Sequence, residues 1–248
     1  MQVEARNIWK YYGPVVALRD VSLTIKGGEI IGLVGDNGAG KSTFIKILAG
    51  YFPPDKGDII IDNKIVRFRS PMDARNNGIE VVYQDLALVP QLPVYRNIFL
   101  GREMRKGPFL NKKEMMMQAQ KLLRSFGIDI DVNKTANELS GGQRQMVAIV
   151  RAIMFNAKLL LLDEPTAALS VYEARSVLNF IKSLINAKGG DVSAIIVSHN
   201  IHHVYSIATR IVVMDHGKIV LDVERDKMAP QEIEEFIVKT VTSSKEQV

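Results

Sequence analysis

Eight consecutive residues constrain this chain more than any other feature: Gly35-Asp36-Asn37-Gly38-Ala39-Gly40-Lys41-Ser42. They satisfy G-x-x-x-x-G-K-[ST] at every position. The apolar run Ile30–Val34 precedes them, and a helix from Lys41 to about Ala49 is expected to follow. In that context the glycines let the backbone turn tightly, so that successive N–H groups point inward at phosphate oxygens. The helix start adds the positive end of its dipole. Lys41 is expected to reach the β- and γ-phosphates and Ser42 to ligate Mg2+. Thr43 completes the expected nucleotide-binding set.

A loop of this kind needs a strand before it and a carboxylate from a neighbouring strand. Short apolar runs recur along the chain at Val21–Ile25, Ile30–Val34, Ile79–Tyr83, Leu159–Leu162, Ala194–Val197 and Ile211–Met214. Asp62-Asn63, between Ile59–Ile61 and Lys64–Phe68, reads as a hairpin turn. His216-Gly217, before Lys218–Leu221, reads as another. Helices are expected over Asn111–Phe126, Gln143–Phe155 and Glu173–Asn186. Asn111 can cap the first of these, with Glu114 three residues on and Gly127 after its end. Pro230 opens a last helix with Ile233, Phe236, Ile237 and Val241 on one face, and a polar, frayed tail is expected from Thr242. Strands alternating with helices imply an α/β fold with a mostly parallel sheet. The Met-rich stretch in the middle reads as a helical insertion.

Asp163 is the expected partner carboxylate. The strand Leu159–Leu162 would deliver it to the C-terminal sheet edge, where ligands bind in open α/β sheets. There Asp163 can hold Mg2+ through water, and Glu164 can polarise an attacking water. No Asn-Lys-x-Asp guanine-reading element is present, which favours ATP over GTP.

Leu139-Ser140-Gly141-Gly142-Gln143 resembles the signature motif of ABC ATPases. Further elements stand in that family's order. Gln84 resembles the Q-loop glutamine, and Asp163-Glu164-Pro165-Thr166 the extended Walker B motif. Ala168-Leu169 resembles the start of the D-loop, and His199 the switch histidine. Tyr12, with Tyr11 as the alternative, resembles the aromatic that stacks on adenine. Ser170 stands where many relatives have Asp, so any salt bridge assumed there is in doubt. The resemblance spans about residues 3–222.

It implies an ABC-type ATPase core with a mostly parallel sheet, an N-terminal antiparallel β subdomain and an inserted α-helical subdomain. The expected division is 1–86 with 157–222 for the ATP-binding core, 87–156 for the helical subdomain, and 223–248 for the C-terminal helix and tail. It also implies a head-to-tail homodimer with ATP between the phosphate loop of one subunit and Ser140, Gly141, Gly142 and Gln143 of the other. Glu164 would then be the catalytic base, His199 would contact the γ-phosphate, and Gln84 would contact Mg2+ or water.

Only 122 residues separate Lys41 from Asp163, which leaves no room for the long coiled coil of the DNA-repair relatives. The stretch Gly78–Pro90, then Asn97–Glu103 and Ala167–Val171, looks like the monosaccharide-import branch. A single-unit ATPase subunit is implied, working with two membrane permease subunits and a sugar-binding protein at the cytoplasmic face of the membrane, with no nucleic-acid partner. The alternative is a non-transport ABC ATPase acting as an ATP-driven dimerisation or regulatory module.

Composition sets outer bounds on these readings. Cys is absent, which excludes disulfides and thiol chemistry. The longest apolar runs are a few residues, far short of the ~20 that a membrane-spanning helix needs. Met1–Lys10 has no apolar signal core. The net charge of +5 is placed unevenly. Between Gly101 and Ser125 stand seven basic residues (Arg102, Arg105, Lys106, Lys112, Lys113, Lys121 and Arg124) against Glu103 and Glu114. This segment matches the whole excess. It is expected to form a basic face toward anionic headgroups or an acidic partner, with Met115-Met116-Met117 as an adaptable surface beside it.

Overall fold

A computed structural model describes the backbone of residues 1–245 and the side chains of residues 1–240. The chain opens with β1 (Val3–Tyr12), β2 (Val15–Ile25) and β3 (Ile30–Val34), followed by α1 (Lys41–Leu48). Then come β4 (Lys56–Ile61), β5 (Lys64–Val66), α2 (Pro71–Asn76) and β6 (Ile79–Val82). The middle holds α3 (Val94–Ile98), β7 (Arg105–Lys106), β8 (Phe109–Leu110), α4 (Lys112–Ser125) and α5 (Gly141–Met154). The rest is β9 (Leu159–Asp163), α6 (Val171–Ala187), β10 (Ser193–Val197), α7 (Ile201–Tyr205), β11 (Arg210–Asp215), β12 (Lys218–Glu224) and α8 (Pro230–Lys245).

Six strands form the main sheet in the order β12-β11-β3-β10-β9-β6. All neighbours are parallel except β11 and β12, the pair joined at His216-Gly217. A second, antiparallel sheet has the order β2-β1-β4-β5. Both hairpin turns use two consecutive positive-φ residues, Asp62 and Asn63 at 46° and 66°, and His216 and Gly217 at 45° and 76°. This is the backbone twist that two-residue hairpins favour.

The central strands are buried on both faces, as parallel sheets are. Side chains alternate with the period of two that a strand imposes. Ile30, Val34, Leu160, Leu162, Ala194, Ile196, Ile211 and Val213 join one hydrophobic cluster. Ile31, Leu33, Leu159, Leu161, Ile195, Val197, Val212 and Met214 join the other, together with α1 and the antiparallel sheet. The first cluster continues without a break into the helical middle, through Val94, Ile98, Met115, Ala119, Leu123, Val147 and Val150.

Several expected elements shift at their ends. β2 begins at Val15, well before Val21, and pairs along its length with β1, which patterning did not mark. The strand after Asp62-Asn63 stops at Val66, and β6 stops at Val82. α5 begins at Gly141 and α6 at Val171, each two residues earlier than read from the sequence. Asn111 caps α4, its side chain accepting from Glu114 N–H at 3.3 Å. In α8, Ile233 is fully buried and Ile237 packs on the core. The side chain of Val241 lies outside the described residues. α8 runs on through Lys245, past the expected fray at Thr242, and 246–248 lie outside the described residues.

One residue of the expected basic segment also has partners within the chain. The Arg102 guanidinium lies 4.1 Å from the centre of the Phe155 ring and 3.9 Å from Glu80, which also pairs with Arg75 at 3.3 Å. A buried carboxylate needs such neighbours, and this one draws Arg102 to itself. Met115 is a fully buried core residue, whereas Met117 is exposed. All seven basic residues of the segment are exposed: Arg102 before β7, Arg105 and Lys106 on β7, and Lys112, Lys113, Lys121 and Arg124 on α4.

Asn97 ties the helical middle together. It is fully buried. Its side-chain oxygen accepts from Val89 N–H at 2.7 Å, and its amide donates to the carbonyls of Val89 and Leu92 at 3.0 and 2.9 Å. Asn97→Ala is expected to destabilise the chain by about 3 kcal/mol, because buried backbone groups lose their partners. Urea unfolding checks this, and a loss below about 1 kcal/mol would show that the loop re-pairs without Asn97.

Candidate functional site

The phosphate loop lies between β3 and α1, at the C-terminal ends of the parallel strands, where ligands bind in this class of sheet. Gly35 has φ +145°, and a Cβ placed there would lie 2.1 Å from the carbonyl oxygen of Met214 on β11. The loop can pass this strand end only as glycine. Gly38, at φ +84°, has nothing within 4 Å of its own Cβ position and lies at the open side of the loop.

Lys41, the first residue of α1, is buried. Its ammonium donates to the carbonyls of Gly35 and Asp36 at 2.7 and 2.9 Å. An ammonium has three protons, so one donor remains for a phosphate oxygen. Burial lowers the Lys41 pKa, while Glu164, Asp36 and Asp163 nearby oppose that shift.

Asp163 ends β9 and Glu164 follows it. Burial, and then the Glu164 charge, push the Asp163 carboxyl above its ordinary range, against the pull of Lys46 and Lys41. Glu164 adopts φ +51°, a strained backbone for a residue of its kind. Its N–H donates to Val197 at the end of β10. That turn aims its side chain at His199. One Glu164 oxygen accepts from His199 N–H at 3.1 Å and lies 3.0 Å from His199 Nδ1. The other, Oε2, is buried without a hydrogen-bond partner. Two adjacent carboxylates, one resisting ionisation and one with an orphaned oxygen, form an oxygen-rich set that suits a hydrated divalent cation. The Ser42 hydroxyl adds a donor of the same hard kind.

Gln84 is exposed in the loop after β6. Gln84, Gly141, Arg144, Glu164 and Leu169 share the walls of a cleft of about 340 Å3. Sequence reading did not single out the residue that sets this loop. Arg151, on α5, donates to the carbonyls of Leu86 and Ala87 at 2.7 and 2.9 Å. No motif marks it, because its partners are backbone atoms more than 60 residues away.

Ser140 is the N-cap of α5. It forms a capping box with Gln143: Gln143 N–H donates to the Ser140 hydroxyl at 3.3 Å, and Ser140 N–H donates to the Gln143 side chain at 3.0 Å. Gln143 thus shapes this helix start from within its own chain. Among the described residues, no hydrogen bond joins 140–143 to the phosphate loop 35–42. Ser170 caps α6 in the same way, through Glu173. Serine is a strong N-cap, so this position is accounted for within its own helix. Tyr12 ends β1 with its ring half exposed and edge-on to Phe52 at 5.9 Å. Tyr11 stacks on Trp9 at 6.2 Å.

Residues 18–167 match the profile of a family described as ABC transporter. The xylose/arabinose import ATP-binding protein of Sulfolobus acidocaldarius is 51% identical over 236 residues, covering 95% of this chain and 93% of that protein. The fructose import ATP-binding protein of Rhizobium meliloti is 44% identical, covering 84% of this chain and 82% of that protein. Among solved structures, a dimeric ATP-binding cassette in a post-hydrolysis state, bound to ADP and Pi, superposes with a TM-score of 0.73 at 28% identity. That match covers 90% of this chain and 98% of the cassette.

Proposed function

The chain belongs to the ABC transporter family, and on that premise we propose that it hydrolyses ATP to drive import of a monosaccharide through separate membrane subunits. The strongest support for the ATPase chemistry is the Glu164–His199 pair, held by the ends of two adjacent parallel strands beside the phosphate loop. Support for sugar import comes from relatives of similar length whose names assign them to pentose and fructose uptake.

Residues 35–43 cradle the triphosphate, with backbone N–H groups and Lys41 as donors. Tyr12 supplies the exposed ring for adenine, since Tyr11 is engaged with Trp9. Ser42, Asp163 and Gln84 would hold Mg2+, which would offset phosphate charge. Glu164 takes a proton from the attacking water. The His199 imidazole fixes the Glu164 carboxylate through one oxygen, and the other, Oε2, keeps its hydrogen-bonding capacity unused. His199 also faces the γ-phosphate as a donor.

The reaction needs a second copy of the chain. Ser140, Gly141 and Gly142 present a helix start that no hydrogen bond ties to the phosphate loop of their own subunit, and such a start takes an anion. In a head-to-tail homodimer it meets the γ-phosphate on the partner. No helix among the described residues is long and apolar enough to cross a membrane. The import names of the relatives support separate subunits for the passage: two permease subunits, a sugar-binding protein that delivers the substrate, and the ATPase at the cytoplasmic face. The exposed basic residues of β7 and α4 face that assembly.

Uptake of labelled xylose, arabinose, fructose and ribose by cells with and without this chain tests the reading. One sugar is expected to lose uptake on deletion and regain it on complementation. Unchanged uptake of all sugars, with ATPase activity intact in the purified chain, would move the protein to the regulatory alternative.

A further inference from the structure

The start of α5 already carries an anion from its own chain. Gly142 N–H donates to Glu173 Oε1 at 3.1 Å. The other oxygen of the same carboxylate accepts from Ser170 N–H at 3.2 Å and from the Ser170 hydroxyl at 2.9 Å. A Cβ on Gly142 would lie 3.2 Å from Glu173 Cβ, so glycine here lets the Glu173 side chain lie close against the helix start. These bonds, led by the one from Gly142, hold the Glu173 carboxyl at about 2. It is therefore ionised throughout the physiological range. One carboxylate thus links the signature helix to the first residue after Ala168-Leu169.

The Gly142 N–H is also one of the donors offered to the partner's γ-phosphate in the sandwich described above. One N–H cannot serve two anions fully, and two anions at one site repel. We infer that Glu173 is a positioning residue, a resident anion that occupies the start of the signature helix in the open subunit and yields Gly142 to the γ-phosphate as the dimer closes. This rests on the sandwich reading and adds a threshold to it. ATP must displace a carboxylate before the second half-site is complete, and the displaced carboxylate stays bonded to Ser170, so the turn before α6 registers the exchange.

The test is the ATP concentration for half-maximal dimerisation, measured by sedimentation velocity. The parent is the full chain carrying Glu164→Gln, which retains bound ATP. Adding Glu173→Gln is expected to lower that concentration about tenfold, because a neutral amide competes less well than a carboxylate for the same donor. An equal or higher concentration would overturn the inference and leave Glu173 as a helix cap. A parent that remains monomeric at saturating ATP would overturn the sandwich and the displacement together. A second measurement does not depend on the variant folding. In 15N-glycine-labelled parent, the Gly142 amide resonance is expected to lie downfield without nucleotide and to move on ATP-driven dimerisation. An unmoved resonance in the dimer would mean that Glu173 never lets go.

Discussion

Glu164→Gln is expected to cut steady-state ATP turnover about a thousandfold, within the range that a positioned general base contributes. ATP affinity should change by no more than about twofold, since the lost function belongs to the transition state. The geometry explains why glutamine is the informative replacement. It is nearly isosteric, so the +51° backbone, the bond to Val197 and an acceptor for His199 N–H can all persist. What disappears is the basicity of the orphaned Oε2. Turnover without decay of bound ATP should also lengthen the life of the ATP-bound dimer. Single-turnover hydrolysis and gel filtration with ATP measure both effects. Wild-type turnover in the variant would show that the base is another group.

Gly35→Ala is the second large effect. The new methyl group would sit 2.1 Å from the Met214 carbonyl, at a backbone angle of +145°. Strain of about 1–3 kcal/mol at such an angle adds to overpacking of similar size, for a combined loss of about 4 kcal/mol. The neighbours cannot relieve this cheaply, because the obstacle is the backbone of a strand paired on both sides. Gly38→Ala is the matched control, since its added methyl meets nothing within 4 Å and only its φ of +84° resists. Chemical denaturation of both variants separates fold damage from damage to nucleotide binding. If the Gly35 variant were as stable as the Gly38 variant, the β11 contact would not govern the loop.

Much of the catalytic edge was legible because its parts are local. The phosphate loop, Asp163-Glu164 and His199 each follow a short strand buried on both faces, which shows in the sequence as a continuous apolar run. The capping of α4 was equally plain, since Asn111 and Glu114 stand three residues apart. What sequence did not disclose depends on long-range backbone partners. β1 was missed because its inward residues, Val3, Ala5 and Ile8, break alternation across bulges in its pairing with β2. Arg151 and Asn97 act on carbonyls, which carry no residue identity to read. Charge counting could not show that Arg102 also approaches Glu80, because Glu80 lies in another element. Glu173 stands in the sequence only as the first residue of an expected helix, and its bond to Gly142 spans 31 residues.

The unbroken hydrophobic cluster beneath the main sheet has a consequence for how force passes through this subunit. Val94, Met115 and Val147 share one packed interior with Leu160 and Ile196. A helical layer joined to a sheet in this way cannot swing freely, because opening a gap would expose apolar surface along its whole length. It can slide, by small coordinated shifts of interdigitated side chains. Its rigidity then suits it to act as a gear: a small displacement at the nucleotide edge is expected to carry through to the far side of the helices.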